Sequence, residues 1–229
     1  QAGDIEAAYP LLDRLLATDG QPVRFNFIVQ YAQQADAPTR ERVRDLLGAL
    51  STRHPDQPRL WLARSALADM DGDVPGALAL AHRARELEPD NPAAIELEGR
   101  LLAANGEPDA ARRLLRQGAR QFPRERDLRL SYLRVLLEAN RGSDARHELD
   151  DMLAIWPDDG DLAMSLALVE WEMGDPDAAR ARFVALAEAG YREDETWFYA
   201  GRVAAAQRRY DDAANYFQNV RGTQFLSAQ

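Results

Sequence analysis

The sequence predicts an all-α protein, a right-handed superhelix of antiparallel helix pairs stacked one on the next. Three observations predict it. Pro55, Pro89, Pro123 and Pro157 are each separated by 34 residues, and Ala77, Ala111, Ala145, Ala179 and Ala213 keep the same interval. Trp61 and Trp197 lie four such periods apart. The signals Gly72-Asp73-Val74-Pro75, Gly106-Glu107-Pro108-Asp109 and Gly174-Asp175-Pro176-Asp177 recur at one place in the period. A fixed period of this length marks a chain built from one repeated supersecondary unit, not a globule with a single active centre. Such arrays bury their core between neighbouring units and present an extended surface to partners.

The elements follow in order. Residues 1–23 form a partial unit: Gly3-Asp4-Ile5-Glu6-Ala7-Ala8 reads as the start of a second helix whose first helix would lie upstream. The chain is therefore expected to be a segment of a longer protein. The unit 24–57 diverges, with no Gly at its turn and Val43 in place of the recurrent Ala. Units 58–91, 92–125, 126–159, 160–193 and 194–229 follow without insertion, the last carrying the C-terminal tail.

Each unit reads as helix A, a turn and helix B. In 92–125, Ala94, Ile95, Leu97, Leu101 and Leu102 form an apolar stripe at helical spacing. Asn105-Gly106 ends helix A, because Gly takes the left-handed conformation that closes a helix. Glu107-Pro108-Asp109 opens helix B, with Pro tolerated in the first turn and acids favoured by the helix dipole. Ala111, Leu114 and Leu115 then face inward, and Phe122-Pro123 ends the unit, since the residue before Pro is pushed out of the α region. Unit 126–159 has Asn140 where units 58–91, 92–125 and 160–193 have Gly, a substitution that such a turn accepts.

These features resemble the tetratricopeptide repeat. The shared marks are an aromatic early in helix A (Trp61, Trp197), a small residue four later (Ser65, Gly201), the early Ala of helix B and the closing Pro. The resemblance covers residues 24–220 and extends in less complete form to 1–23. There are departures. Arg64 and Glu98 occupy a position that is apolar in the family, and their separation of 34 predicts an ion pair between adjacent A helices. Tyr191 and Phe225 stand where the closing Pro would be in the last two units.

Composition excludes several classes. Net charge is −10 over 229 residues, which opposes nonspecific binding to nucleic acid or anionic lipid. There is no cysteine, so disulfides, thiolate nucleophiles and thiolate-held metals are excluded. All 28 basic residues are arginine, which removes a P-loop or Schiff-base lysine. No apolar run approaches the roughly 18 residues of a membrane span. No nucleotide-binding, zinc-protease or serine-hydrolase motif occurs. His54, His82 and His147 fall at different positions of different units, unlike converging metal ligands. The acid pairs Asp150-Asp151, Asp158-Asp159 and Asp211-Asp212 read as solvated surface. No catalytic, cofactor or metal site is expected, and the chain is not expected to be an enzyme.

The resemblance implies a groove lined by the A helices, with ligand contacts at the second, fifth, sixth, ninth, twelfth and thirteenth positions of each unit. The ninth positions are Ala32, Ala66, Arg100, Arg134, Leu168 and Arg202. The fifth include Leu130, Met164 and Phe198, the sixth Tyr199, and the twelfth Leu137 and Trp171. The expected site is thus an apolar and aromatic C-terminal half with Arg100, Arg134 and Arg202 set in it. It suits a peptide or protein partner with apolar anchors and a carboxylate, and Arg and aromatics dominate interface energetics. Trp61 and Trp197 are expected to be packing residues. The Lys and Asn clamp with which some members of the family hold chaperone tails is absent, because there is no lysine.

Residues 128–149, 156–186 and the tail 220–229 are similar to the C-terminal part of proteobacterial outer-membrane lipoproteins of this repeat type, some of which are adaptors of a periplasmic carboxy-terminal processing protease. That likeness implies an upstream lipid anchor and a place on the periplasmic side of the outer membrane; without it, a cytoplasmic location is expected. The leading expectation is a noncatalytic scaffold that binds protein or peptide. The alternatives are the substrate-recruiting arm of an enzyme whose catalytic domain lies elsewhere, and an envelope-assembly or secretion component.

Overall fold

A computed structural model describes residues 4–17 and 25–221, and thirteen helices with no strand make up the regular structure of these residues. The first, α1, spans Asp4–Ala17 and belongs to the partial unit. The pairs are α2 (Asn26–Gln34) with α3 (Ala37–Arg53), α4 (Pro58–Met70) with α5 (Val74–Leu87), and α6 (Pro92–Ala104) with α7 (Pro108–Gln121). Next along the chain come α8 (Arg126–Glu138) and α9 (Gly142–Ile155), and then the pairs α10 (Gly160–Glu172) with α11 (Pro176–Glu188) and α12 (Glu193–Ala206) with α13 (Tyr210–Gln218). The B helices α5, α7, α9, α11 and α13 begin at residues 74, 108, 142, 176 and 210, so the 34-residue interval of the sequence is the interval of the structure.

The turn residues explain why the register holds. Gly72, Gly106 and Gly174 adopt φ of 81°, 84° and 81°, and Asn140 and Arg208, in phase with them, adopt 53° and 61°. One left-handed residue therefore closes each A helix from α4 to α12, a conformation free of steric cost only for Gly. Caps then open the next helix. Asp73 accepts from the Gly76 amide (3.0 Å), Asp159 from Leu162 (3.1 Å) and Asp175 from Ala178 (3.3 Å), satisfying donors that no helical carbonyl reaches. In the divergent unit α3 starts at Ala37, a turn ahead of register, because Asp36 caps it through the Thr39 amide (3.0 Å) with Pro38 in the first turn.

Packing follows the same period. The helix-B alanines 77, 111, 145 and 179 are fully buried, Ala213 is nearly so, and Val43 fills the equivalent place in the divergent unit. At the eighth position of the unit the two helices of a pair approach closely. A Cβ on Gly99 would lie 2.4 Å from Leu115, and one on Gly201 would lie 2.5 Å from Phe217. Ser65 instead donates to the Ala77 carbonyl at 2.8 Å.

The chain divides into two compact units, residues 1–135 and 136–229. In the first, Phe25, Ala32, Val43, Leu47, Leu50 and Leu60 form a core on which Tyr9, Leu12 and Leu16 of α1 pack. Asp13 ties α1 to the end of α3, 2.8 Å from Arg53 Nε and 2.7 Å from His54 Nε2. In the second, Phe183, Met164, Ala167, Ala200 and Val203 form the core. Tyr191, in place of the closing Pro, lies against Gly160 and donates to Asp161 at 2.5 Å. Phe225 lies outside the described residues.

Each unit also buries a glutamate. Glu170 receives Arg182 through two bonds of 3.0 and 3.2 Å, with Arg146 at 3.9 Å. Glu98 receives Arg85 at 2.5 and 3.1 Å and faces His82 Nδ1 at 3.1 Å. This corrects the expected Arg64–Glu98 pair. Arg85, on the helix B preceding α6, takes the carboxylate first. Arg64 donates to Ser51 Oγ at 2.8 Å and lies 5.2 Å over the Trp61 ring, and burial without a carboxylate pulls its pKa below the usual arginine range.

Candidate functional site

Two A-helix surfaces are candidates, one in each compact unit. In the first, α2, α4 and α6 lie in a row and enclose an open groove of about 660 Å³. Its apolar lining is Phe25, Val29, Leu62, Ala63, Ala66, Ala93 and Leu97, and its polar lining is Gln30, Arg59, Asn91 and Glu96. Most of these are second, fifth, sixth and ninth positions of their units. Space exists because Ala93, Ala63 and Ala66 are small at the second, sixth and ninth positions, where the last unit carries Glu195, Tyr199 and Arg202. Arg59 is exposed and has no partner among the described residues. Glu96 is engaged: it accepts from Ser131 Oγ at 2.7 Å and lies 3.7 Å from Arg100 Nε. Asn91 is spent on the cap of α6 and on Glu88. The groove thus offers an apolar floor and one uncommitted guanidinium.

In the second unit the same positions are filled rather than open. Tyr199 stacks on buried Phe183 with centroids 5.3 Å apart, and meets the edges of Trp171 (6.3 Å) and Phe198 (6.0 Å). Arg202 lies 5.1 Å over Trp171 and 5.8 Å over Phe198, without a carboxylate partner among the described residues. Cation–π contacts of this kind hold a guanidinium in place and leave its N–H donors outward.

The structure therefore brings Trp171, Phe198, Tyr199 and Arg202 together as one surface. It corrects other sequence expectations. Met164 is 6% exposed and belongs to the core around Phe183, so it is a packing residue and not part of a groove. Arg100 is not a bare cation, since Asp69 Oδ2 holds its Nη1 at 2.8 Å. Arg134 is exposed and Leu130 half-buried. Leu137 lines a small hollow of about 290 Å³ with Val169 and Met173 beside the α8–α9 turn, whose lining contains none of the aromatic residues. Trp197 stacks on Tyr216 at 5.7 Å, and Trp61 donates to the Pro55 carbonyl at 3.0 Å, as packing residues do. Sequence reasoning missed the N-terminal groove. The signal was small residues, Ala63 and Ala66, at the sixth and ninth positions, and it was outweighed by arginine and aromatics further on. Among the described residues no group of His, Asp and Glu side chains is arranged to hold a metal, and no helix is long and apolar enough to cross a membrane.

Helix pairs repeating every 34 residues, with open and aromatic faces on the A helices, define a class of helical-repeat proteins. Two family models, both described as tetratricopeptide repeat, match residues 70–134 and 164–222, together more than half of the chain. The chain belongs to the tetratricopeptide repeat family, and its fold is an all-α solenoid of that kind. No curated protein sequence matches it. Solved structures do. PilF of Pseudomonas aeruginosa aligns with TM-score 0.65 at 15% identity, over 94% of this chain and 90% of that one. YrrB, described as a repeat protein of this family with an unusual peptide-binding site, aligns with TM-score 0.64 at 16% identity, over 80% and 96%. MamA of Desulfovibrio magneticus RS-1, from residue 41 to its end, aligns with TM-score 0.63 at 17% identity, over 75% and 96%. At these identities the likeness is one of fold.

Proposed function

We propose that this chain is a noncatalytic scaffold that binds a protein segment along its A helices. The observation that carries the reading is the groove between α2, α4 and α6, with small residues at its sixth and ninth positions and Arg59 uncommitted. A side chain of Leu or Val size fits the floor, and a carboxylate close to it meets the guanidinium in a charge-assisted hydrogen bond. The Trp171–Phe198–Tyr199–Arg202 surface is a second contact of the same type, suited to an apolar residue beside an acid. YrrB, which shares the fold, is described as having a peptide-binding site. The test is to select peptides against the chain by display and map the selected peptide by chemical-shift perturbation. The reading expects shifts clustered on Leu62, Ala63, Ala66 and Leu97. Shifts confined to the B helices would contradict it.

The narrower form of the proposal is an adaptor on the periplasmic side of the outer membrane that gathers a carboxy-terminal processing protease and its cell-wall-hydrolase substrates. Its support is the likeness of residues 128–149, 156–186 and 220–229 to lipoproteins of that kind. Adding the chain to the purified protease and a hydrolase substrate should accelerate cleavage. Cleavage at an unchanged rate would count against the adaptor while leaving the scaffold reading intact.

A further inference from the structure

Charge is distributed unevenly along this acidic chain. Residues 136–229 carry 9 arginines against 18 acids, whereas residues 108–126 carry 6 arginines against 2 acids. Four of the six, Arg113, Arg116, Arg120 and Arg124, are exposed and have no partner among the described residues. The first three lie on the face of α7 opposite Ala111, Leu115 and Ala119, which are buried. At a rise of about 1.5 Å per residue they form a strip roughly 10 Å long on a B helix, and none of them lines the groove of α2, α4 and α6. The repeat register shows that the strip is peculiar to this unit. The same four positions are Ala79, His82, Glu86 and Asp90 one period earlier, and His147, Asp150, Ala154 and Asp158 one period later.

Neighbouring acids do not neutralise the strip. Glu86 is paired with Arg83 at 3.1 Å and His82 at 3.5 Å, and Asp90 keeps its charge, accepting from the neutral Gln121 at 2.6 Å without pairing with an arginine of the strip. Asp109 pairs with Arg112 alone, at 3.1 Å. Like charges along one helix repel, which costs stability unless an outside anion relieves it.

We infer that the Arg113–Arg116–Arg120 strip of α7, continued by Arg124, is a docking surface for an acidic segment of a partner protein. Width selects the partner. Asp90 lies beside the strip, as its bond to Gln121 shows, so a flat anionic bilayer or a nucleic-acid duplex would meet carboxylates together with arginines. A narrow chain with acids at each turn or every second residue meets the arginines alone, in bonds that Arg donates bidentately.

The test uses the full chain and a fluorescein-labelled octaglutamate peptide, read by anisotropy at low ionic strength. Exposed ion pairs contribute modestly, so R113Q/R116Q/R120Q is expected to weaken binding by about 10-fold, and added salt to weaken the unsubstituted chain in the same direction. The charge-matched variant A181E/A185E/N215E, altered at exposed positions of α11 and α13, is expected to bind like the unsubstituted chain. Three results would overturn the inference: no binding of octaglutamate by the unsubstituted chain, equal loss in both triple variants, or tighter binding to phosphatidylcholine vesicles containing one-third phosphatidylglycerol, or to duplex DNA, than to the peptide. Circular dichroism confirms that each variant remains helical.

Discussion

The fifth, sixth and ninth positions of helix A carry Leu62, Ala63 and Ala66 on α4, and Phe198, Tyr199 and Arg202 on α12. The backbone at the two places is the same repeat in the same register. On α4 the small residues leave an open groove with a bare guanidinium at its edge. On α12 the large ones close the space, rest on Phe183 and carry Arg202 on their rings. The difference teaches that in a repeat array the period sets where side chains stand, and residue volume alone decides whether that place is a groove or a platform.

The platform depends on what lies beneath it, and its largest expected failure starts there. Phe183 is fully buried and stacked on Tyr199. Phe183→Ala should destabilise the protein by about 4 kcal/mol in urea unfolding, through lost burial and the cavity left behind. A loss below about 1 kcal/mol would mean that the aromatic surface is not anchored as described. Next in size is Arg182→Ala, which leaves Glu170, 1% exposed, with Arg146 at 3.9 Å as its remaining pair. The expected cost is about 3 kcal/mol, read in the same titration. Trp171→Ala comes third, at about 1–2 kcal/mol for the edge contact with Tyr199 and the ring under Arg202.

Much of the architecture was legible in the sequence, because helix boundaries in this chain are made by local chemistry. Pro and Asp at the starts of helices, and Gly or Asn at their ends, act through the nearest few residues. The start of α3 was less legible, since Asp36-Ala37-Pro38 caps a turn earlier than the period implies. Pairing was least legible. Arg64 and Glu98 share a repeat position, yet Arg85 reaches the carboxylate from a different helix. Met164 and Trp171 both stand at positions that line grooves in the family, and only packing shows that one is core and the other surface. Volume was misread as well: arginine and aromatics drew attention to α12, while the space lay beside the alanines of α4.

Two smaller effects sharpen the contrast between local and tertiary control. Arg208 holds the left-handed turn that Gly fills elsewhere, at φ 61°. Arg208→Gly should therefore raise stability by about 1 kcal/mol, visible as a higher unfolding midpoint. Tyr191 replaces the closing Pro, and burial, aided by its hydrogen bond to Asp161, pushes its pKa up from 10.0 to about 12. A phenol raised in the folded state supports stability below its unfolded pKa and loses that support as pH climbs between the two values. Stability should fall across that alkaline interval, and Tyr191→Phe should make the fall shallower.

The central claim is that the open groove on α2, α4 and α6 holds a protein segment. Ala66→Trp tests it most directly, because the indole would occupy the space between Leu62 and Leu97 without altering charge. With a display-selected peptide, isothermal titration should show affinity reduced by about 100-fold, the loss of one well-buried anchor, in a variant whose helicity is unchanged. Affinity equal to that of the unsubstituted chain would contradict the claim.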